Sequence, residues 1–176
     1  KDETGFPVAT MPCGAPRGYF VADFRRNGKY SLSYKAVLKE DVASVWVKDG
    51  ADLMVNVYGG APEGQVSVRI PGHKGWVKAV REDRPAPEVL DALEKNKSIP
   101  RKIGKVRNPE YLPMRKTNSP HVWTARLNEP LDAYCYDNVN DSHSARHDTL
   151  KVRFVKIRYK DPNMSFSVKA PLRTCP

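Results

Sequence analysis

The sequence predicts a mainly β protein with the antiparallel layers of a β-sandwich, one short helix and a long basic loop. Runs of about six residues alternate between apolar and polar side chains, and glycine or proline separates one run from the next. The 176 residues include 15 prolines and 11 glycines, a composition typical of many turns and few long helices. A chain of this length can bury a substantial core as a single domain.

The clearest of these signals is a hairpin over residues 18–37, where two alternating runs flank an Asn-Gly pair. A two-residue turn would put the aromatic side chains of the two strands on opposite faces. A three-residue loop over 26–28, with Gly28 left-handed, instead places Phe24 opposite Tyr30 and gives one apolar face. We therefore expect the three-residue loop and a half-buried hairpin that needs a second layer against it.

The remaining strands are predicted from the same alternation. They cover residues 42–47, 53–58, 65–70, 76–80, 121–127, 150–159 and 166–170. Short strands with turns between them favour an immunoglobulin-like or fibronectin-like sandwich. A short helix begins at Pro87, with Val89, Leu90 and Leu93 on the side facing the core and Glu88 directed outward.

Basic residues dominate the segment that follows this helix. The formal net charge is +10, and much of the excess lies in residues 95–107, with Arg115 and Lys116 further along the chain. The segment has no interleaved aromatic residues and no helical stripe of cations, so we expect a solvated basic loop without a dedicated nucleic-acid site. A loop of this kind attracts anions. The candidate substrate-guiding cations are Lys102, Lys105, Arg107, Arg115 and Lys116.

A weak candidate metal site lies in the polar stretch 137–148, where Asp141, His143, His147 and Asp148 occur together. Two imidazoles and two carboxylates suit a divalent ion. Outside a helix, however, the four-residue spacing of the histidines does not bring both rings to one face, and a hydrated loop is the simpler interpretation. No cofactor is expected in this chain.

Other features of the sequence leave alternatives open. Cys13, Cys135 and Cys175 lack metal-ligand spacing, and either one disulfide with a free thiol or three buried thiols would fit them. Three tryptophans lie in predicted strands, where core packing is favoured over a carbohydrate-stacking surface. No run reaches the length of about 18 apolar residues that spans a bilayer. No nucleophile elbow or phosphate-binding glycine loop is present, so the residues indicate a binding or accessory module.

Three motifs resemble the C-terminal domain of bacterial calcineurin-like phosphoesterases. Residues 5–11 read GFPVATM, similar to the family's G-x-P-x-A-T-M run after its aspartate-rich linker. Residues 13–19 read CGAPRGY, similar to D-G-x-P-x-G-Y with Cys13 in place of aspartate. Residues 119–127 contain the S-x-H-x-W motif. The resemblance covers most of the chain and is weakest at residues 133–147, where the family usually has a short turn.

The resemblance implies a non-catalytic accessory domain. Residues 1–17 would be the linker from a preceding metallophosphoesterase catalytic domain, and residues 18–176 would form one sandwich domain. The signatures G-D-x-x-D, G-N-H-[DE] and G-H-x-H, with which such enzymes hold two metals, are missing here. The chain would support the catalytic domain or help select an anionic, phosphorylated substrate, in the periplasm or at the cell surface. A free-standing carbohydrate-binding or adhesion module is the alternative, and a hydrolase built on His143 and His147 a third.

Overall fold

The computed structural model describes residues 10–37, 40–48, 50–111, 114–128, 131 and 154–174. Eleven strands and one helix lie in these ranges. In chain order they are β1 Gly18–Phe24, β2 Tyr30–Ala36, β3 Ala43–Lys48, β4 Asp52–Val57, β5 Gln65–Arg69, β6 Val77–Arg81, α1 Pro87–Lys95, β7 Lys102–Ile103, β8 Val106–Arg107, β9 Val122–Arg126, β10 Phe154–Lys160 and β11 Ser165–Thr174.

Seven of the strands form one closed barrel in the order β10, β11, β3, β4, β9, β6, β5. Strand β5 pairs with β10 and closes the ring, and every neighbouring pair is antiparallel except β11 with β3. The mainly β class with one short helix is confirmed. The immunoglobulin-like sandwich is corrected, because the structure has one closed sheet where two facing sheets were predicted. Alternation shows which side chains point inward and does not show which strands pair.

The barrel core contains alternate side chains of every strand. Buried members include Val45, Val55, Val68, Trp123, Ile157 and Tyr159. The rings of Trp123 and Tyr159 meet edge to face, with centroids 5.9 Å apart. Both polar tips find partners at one end of the barrel. The indole N–H of Trp123 donates to the Gly64 carbonyl at 3.1 Å, and the Tyr159 hydroxyl accepts from the Ala61 N–H at 2.7 Å.

A second layer covers the outer face of β3, β4 and β9. Trp46, Met54 and Asn56 point away from the barrel core and are nevertheless buried. Helix α1 covers part of this face, packing Val89 against Val122 of β9. The helix begins at Pro87 as predicted. This covering explains why β3 and β4 are buried along nearly their whole length while β5 alternates.

The hairpin β1–β2 has the predicted register. Phe24 lies opposite Tyr30, the Arg25 N–H donates to the Lys29 carbonyl at 2.8 Å, and Gly28 has φ 78°. The three-residue loop is therefore confirmed. Its apolar face is only partly covered, because Tyr34 is buried whereas Phe24 and Tyr30 are exposed.

Candidate functional site

An open groove with a volume of about 550 Å³ lies in the chain between α1 and β9. We call it the basic groove. Its lining residues are Arg101, Lys102, Arg107, Tyr111, Met114 and Arg115. Four of the six carry a positive charge and none carries a negative charge. This composition suits an anion, since each cation attracts negative charge and adds N–H donors for its oxygens.

A short hairpin that the sequence did not predict brings two of these cations together. Strands β7 and β8 pair Lys102 with Arg107, so both side chains leave the same face of the hairpin. Gly104, with φ 60°, allows the tight turn between the strands. Strands of two residues are too short to give an alternating pattern, which is why the prediction placed an irregular loop here.

A second turn carries Tyr111 back to the groove. The Asn108 N–H donates to the Arg101 carbonyl at 3.0 Å, and the Tyr111 N–H donates to the Asn108 carbonyl at 3.2 Å. The side chain of buried Asn108 accepts from the Glu110 N–H at 3.0 Å, which holds the turn. Met114, which also lines the groove, packs against the contact between α1 and the barrel. The groove is thus attached to the folded body.

The cations of the groove are available to a ligand. Arg101 donates through Nε to the Tyr111 hydroxyl at 3.1 Å, and its guanidinium lies 5.6 Å from the centre of the Tyr111 ring. Among the described residues, no carboxylate forms an ion pair with Arg101, Lys102, Arg107 or Arg115. Tyr111 therefore orients one guanidinium, and none of the four cations has a close acidic partner in the part of the chain that the structure describes.

Residues 10–16 pack against the second layer. The Met11 N–H donates to the Ala15 carbonyl at 2.7 Å, which closes a tight turn containing Gly14 at φ 81°. A Cβ on Gly14 would lie 2.4 Å from the Ala86 Cβ, so only glycine fits. The Tyr34 hydroxyl donates to the Pro16 carbonyl. These contacts hold the segment in place at the start of β1.

The S-x-H-x-W motif binds three backbone carbonyls. Ser119 Oγ donates to the Cys13 carbonyl at 3.1 Å, and Trp123 donates to the Gly64 carbonyl. His121 Nδ1 lies 2.5 Å from the Gly60 oxygen, which can only accept, so Nδ1 carries the proton. Burial lowers the pKa of His121 and favours the neutral ring. The motif has a structural role in this domain.

A family model matches most of the chain. The family model described as the C terminal of calcineurin-like phosphoesterase matches residues 1–136, and those residues include the Gly14 turn, the basic groove and the S-x-H-x-W motif.

The chain belongs to this family of phosphoesterase C-terminal domains.

Comparisons with curated proteins and with solved structures give no match. The family model confirms the resemblance that the sequence predicted.

The structure of this phosphoesterase C-terminal domain places the predicted cations in two groups. Lys102, Arg107 and Arg115 line the basic groove, whereas Lys105 and Lys116 are not among the lining residues. Arg101 and Tyr111 line the groove and were missed by the sequence analysis. Their only sequence signal was that Arg101 lies in the basic segment.

Glu88 was predicted to point outward and instead faces a polar cluster, so that prediction is wrong. Its carboxylate accepts from Ser44 Oγ and from Asn56 Nδ2, the latter at 3.0 Å, and Tyr58 OH lies 3.5 Å away. Burial, the largest effect, raises the pKa of Glu88 despite the hydrogen bonds that lower it. Helical spacing could not reveal this, because polar partners on β3 and β4 decide the orientation.

The tryptophans of the domain are largely structural. Trp46 and Trp123 are buried, as predicted. Trp76 is half-buried just before β6, and the Arg158 guanidinium lies 4.2 Å from the centre of its ring. Because a cation already occupies that ring face, the observation does not favour a carbohydrate-stacking surface.

The candidate metal residues Asp141, His143, His147 and Asp148 lie outside the described residues, as do Cys135 and Cys175. In the part of the chain that the structure describes, no group of three or more His, Cys, Asp or Glu side chains could hold a metal ion.

Cys13 is a free, half-buried thiol. Within the same residues, no helix has the length and hydropathy to cross a bilayer.

Proposed function

We propose that this chain is the non-catalytic accessory domain of a calcineurin-like metallophosphoesterase, and that its basic groove attracts and helps select phosphate-bearing substrates. The observation that carries the proposal is the groove itself. Four cations line it, no lining residue is acidic, and Tyr111 orients one guanidinium. The chain belongs to a family described as the C terminal of a phosphoesterase, and the catalytic partner would be that phosphoesterase.

The charges of the groove act on an anion at short range. Two unit charges 4 Å apart in a water-like medium attract by about 1 kcal/mol. All four cationic residues are exposed, so dissolved salt screens them strongly. We therefore expect the groove to raise the local concentration of phosphate esters at low salt and to lose this effect at high salt.

The test is to neutralise two lining cations in the full-length enzyme. The variant Lys102→Gln with Arg107→Gln should lower kcat/KM for a phosphate ester about tenfold at 0.01 M salt, mostly through a higher KM. The variant loses two contacts of about 1 kcal/mol each, and a free-energy loss of about 1.4 kcal/mol already corresponds to a tenfold change. At 1 M salt, where the screening length is about 3 Å, the variant should approach the wild type.

The matched control is Lys105→Gln with Lys116→Gln. It removes the same two charges from the same segment but alters no groove-lining residue. Both double variants share the long-range loss of charge, so the excess effect of the groove variant measures the local contribution. Equal kinetics for the two variants would refute a substrate role for the groove.

The remaining parts of the proposal have tests of their own. Reading the source gene upstream of Lys1 should show the metal-binding signatures that this chain lacks; their absence there would refute the accessory role. We also propose an address in the periplasm or at the cell surface, as the family resemblance implies. Fractionation of source cells would check it.

A further inference from the structure

The hairpin β1–β2 exposes aromatic side chains that the barrel does not cover. The exposed fractions are 79% for Phe24, 50% for Phe20 and 41% for Tyr30, all on one face of the hairpin. We call this the aromatic hairpin face. On the other face, Tyr19 and Val21 are exposed as well. Apolar side chains grouped in this way on a soluble protein mark a contact surface, and a two-stranded hairpin is only marginally stable without one.

The base of the hairpin is fixed to the domain. Buried Tyr34 packs edge to face on Phe20 at 5.4 Å and on Tyr58 at 6.3 Å. A Cβ on Gly59 would lie 2.3 Å from the Phe20 ring, so the ring sits directly on that turn. The Leu32 N–H donates to the Asn163 carbonyl at 2.7 Å. The hairpin is thus a positioned element, and its aromatic face keeps a defined orientation.

Strand β1 also has an open edge. The Arg25 N–H and the Val37 N–H bond across the hairpin, so odd-numbered residues of β1 direct their backbone groups toward β2. The even-numbered residues direct theirs away, and within the described residues β1 pairs with β2 alone. An open edge beside aromatic side chains can accept another strand.

The position of residues 10–16 indicates where a preceding domain would join this surface. Thr10 bridges to Pro16, two residues before β1 begins, and Pro16 is held by Tyr34. A polypeptide arriving from a preceding domain therefore joins at the base of the hairpin. A domain tethered so closely has an effective concentration of the order of millimolar, so a modest contact suffices to hold it there.

The charge around the hairpin argues against a second copy of this chain. Within residues 17–37, which form the hairpin and its ends, the sequence has five cations, all exposed, and one acidic residue, Asp23. The cations are Arg17, Arg25, Arg26, Lys29 and Lys35. Two such surfaces would repel each other, whereas a partner with an acidic surface would be attracted.

We propose that the catalytic phosphoesterase domain of the same polypeptide docks on the aromatic hairpin face through an apolar patch bordered by acidic residues. This inference rests on the proposed function, which supplies the catalytic domain. It goes further in naming the contact surface and the chemistry of its partner.

Photo-crosslinking in the full-length protein tests the contact. The photoreactive residue p-benzoylphenylalanine replaces Phe24 in one variant and Val80 in the control. Val80 is similarly exposed, at 69%, and lies on β6. Irradiation of the Phe24 variant should give a product of monomer mass whose crosslinked peptides belong to the catalytic domain, and the Val80 variant should not. Dimers, adducts with added phosphatidylglycerol vesicles or the absence of a crosslink would each overturn the docking.

A second variant measures the strength of the contact. Because Phe24 and Tyr30 are exposed, Phe24→Ser with Tyr30→Ser leaves the barrel core intact. In the full-length protein this change should speed protease cleavage between the two domains about tenfold, as expected when a contact loses about 1.4 kcal/mol. Unchanged cleavage would contradict the proposal. If the crosslink is missing but the groove variant loses activity as expected, the docking alone is refuted. If the crosslink forms but the groove variant and its control have equal kinetics, the substrate role alone is refuted.

Discussion

Replacing Gly14 with alanine should destabilise the domain more than the same replacement at Gly28. Both glycines have a positive φ, 81° and 78°, which costs an L-residue about 1–2 kcal/mol. The surroundings differ. A Cβ at position 14 would lie 2.4 Å from the Ala86 Cβ and 2.8 Å from Asn56 Nδ2, whereas a Cβ at position 28 meets nothing within 4 Å.

The difference between the two variants isolates the packing of residues 10–16. Overpacking a filled site costs about 1–3 kcal/mol beyond the backbone strain. Gly14→Ala should therefore lower the free energy of unfolding by about 2–5 kcal/mol, and Gly28→Ala by about 1–2 kcal/mol. For a domain of this size 1 kcal/mol shifts Tm by roughly 2–4 °C.

Urea and thermal unfolding of the two variants, followed by circular dichroism, measures both values. The backbone strain is common to the pair and cancels in the comparison. If Gly14→Ala were no less stable than Gly28→Ala, the close packing of the Gly14 turn against α1 and β4 would be refuted.

Two further predictions concern the polar contacts behind this turn. Burial raises the pKa of the Glu88 carboxyl above its usual 4.5. The folded state therefore binds the Glu88 proton more tightly than the unfolded chain does. The resulting contribution to stability is full below pH 4.5 and is lost as the pH rises through the pKa of the folded state. Glu88→Gln should flatten the fall in unfolding free energy with rising pH, measured by urea titrations; parallel curves would contradict it. Tyr34→Phe leaves the Pro16 carbonyl without its donor and should lower the unfolding free energy by about 1–3 kcal/mol, which the same titrations would show; an unchanged midpoint would count against the hydrogen bond.

The sequence predicted local features well and distant pairings poorly. The register of Phe24 with Tyr30 depended on nearby residues and was predicted. The parallel pairing of β11 with β3 and the closure of β5 on β10 depend on residues far apart in the chain. Alternation is the same in a barrel and in a sandwich, so it could not distinguish them.

The basic groove shows the same limit at the level of side chains. Composition identified a cationic segment, but the two-residue strands β7 and β8 decide that Lys102 and Arg107 face the groove. Lys105 falls at their turn and does not line it. The orientation of Glu88 was predicted wrongly for a related reason. Its partners Ser44 and Asn56 belong to strands that precede the helix by many residues.

The order of pairing in the barrel has a consequence for synthesis on the ribosome. Strands β3, β4, β5, β6 and β9 emerge early, but β3 and β5 have no neighbour on their open sides until β10 and β11 arrive. The partly formed sheet of the nascent chain therefore cannot close until its last two strands have been synthesised. A phosphoesterase domain translated ahead of it would already be free to fold and to shelter the hairpin that emerges first.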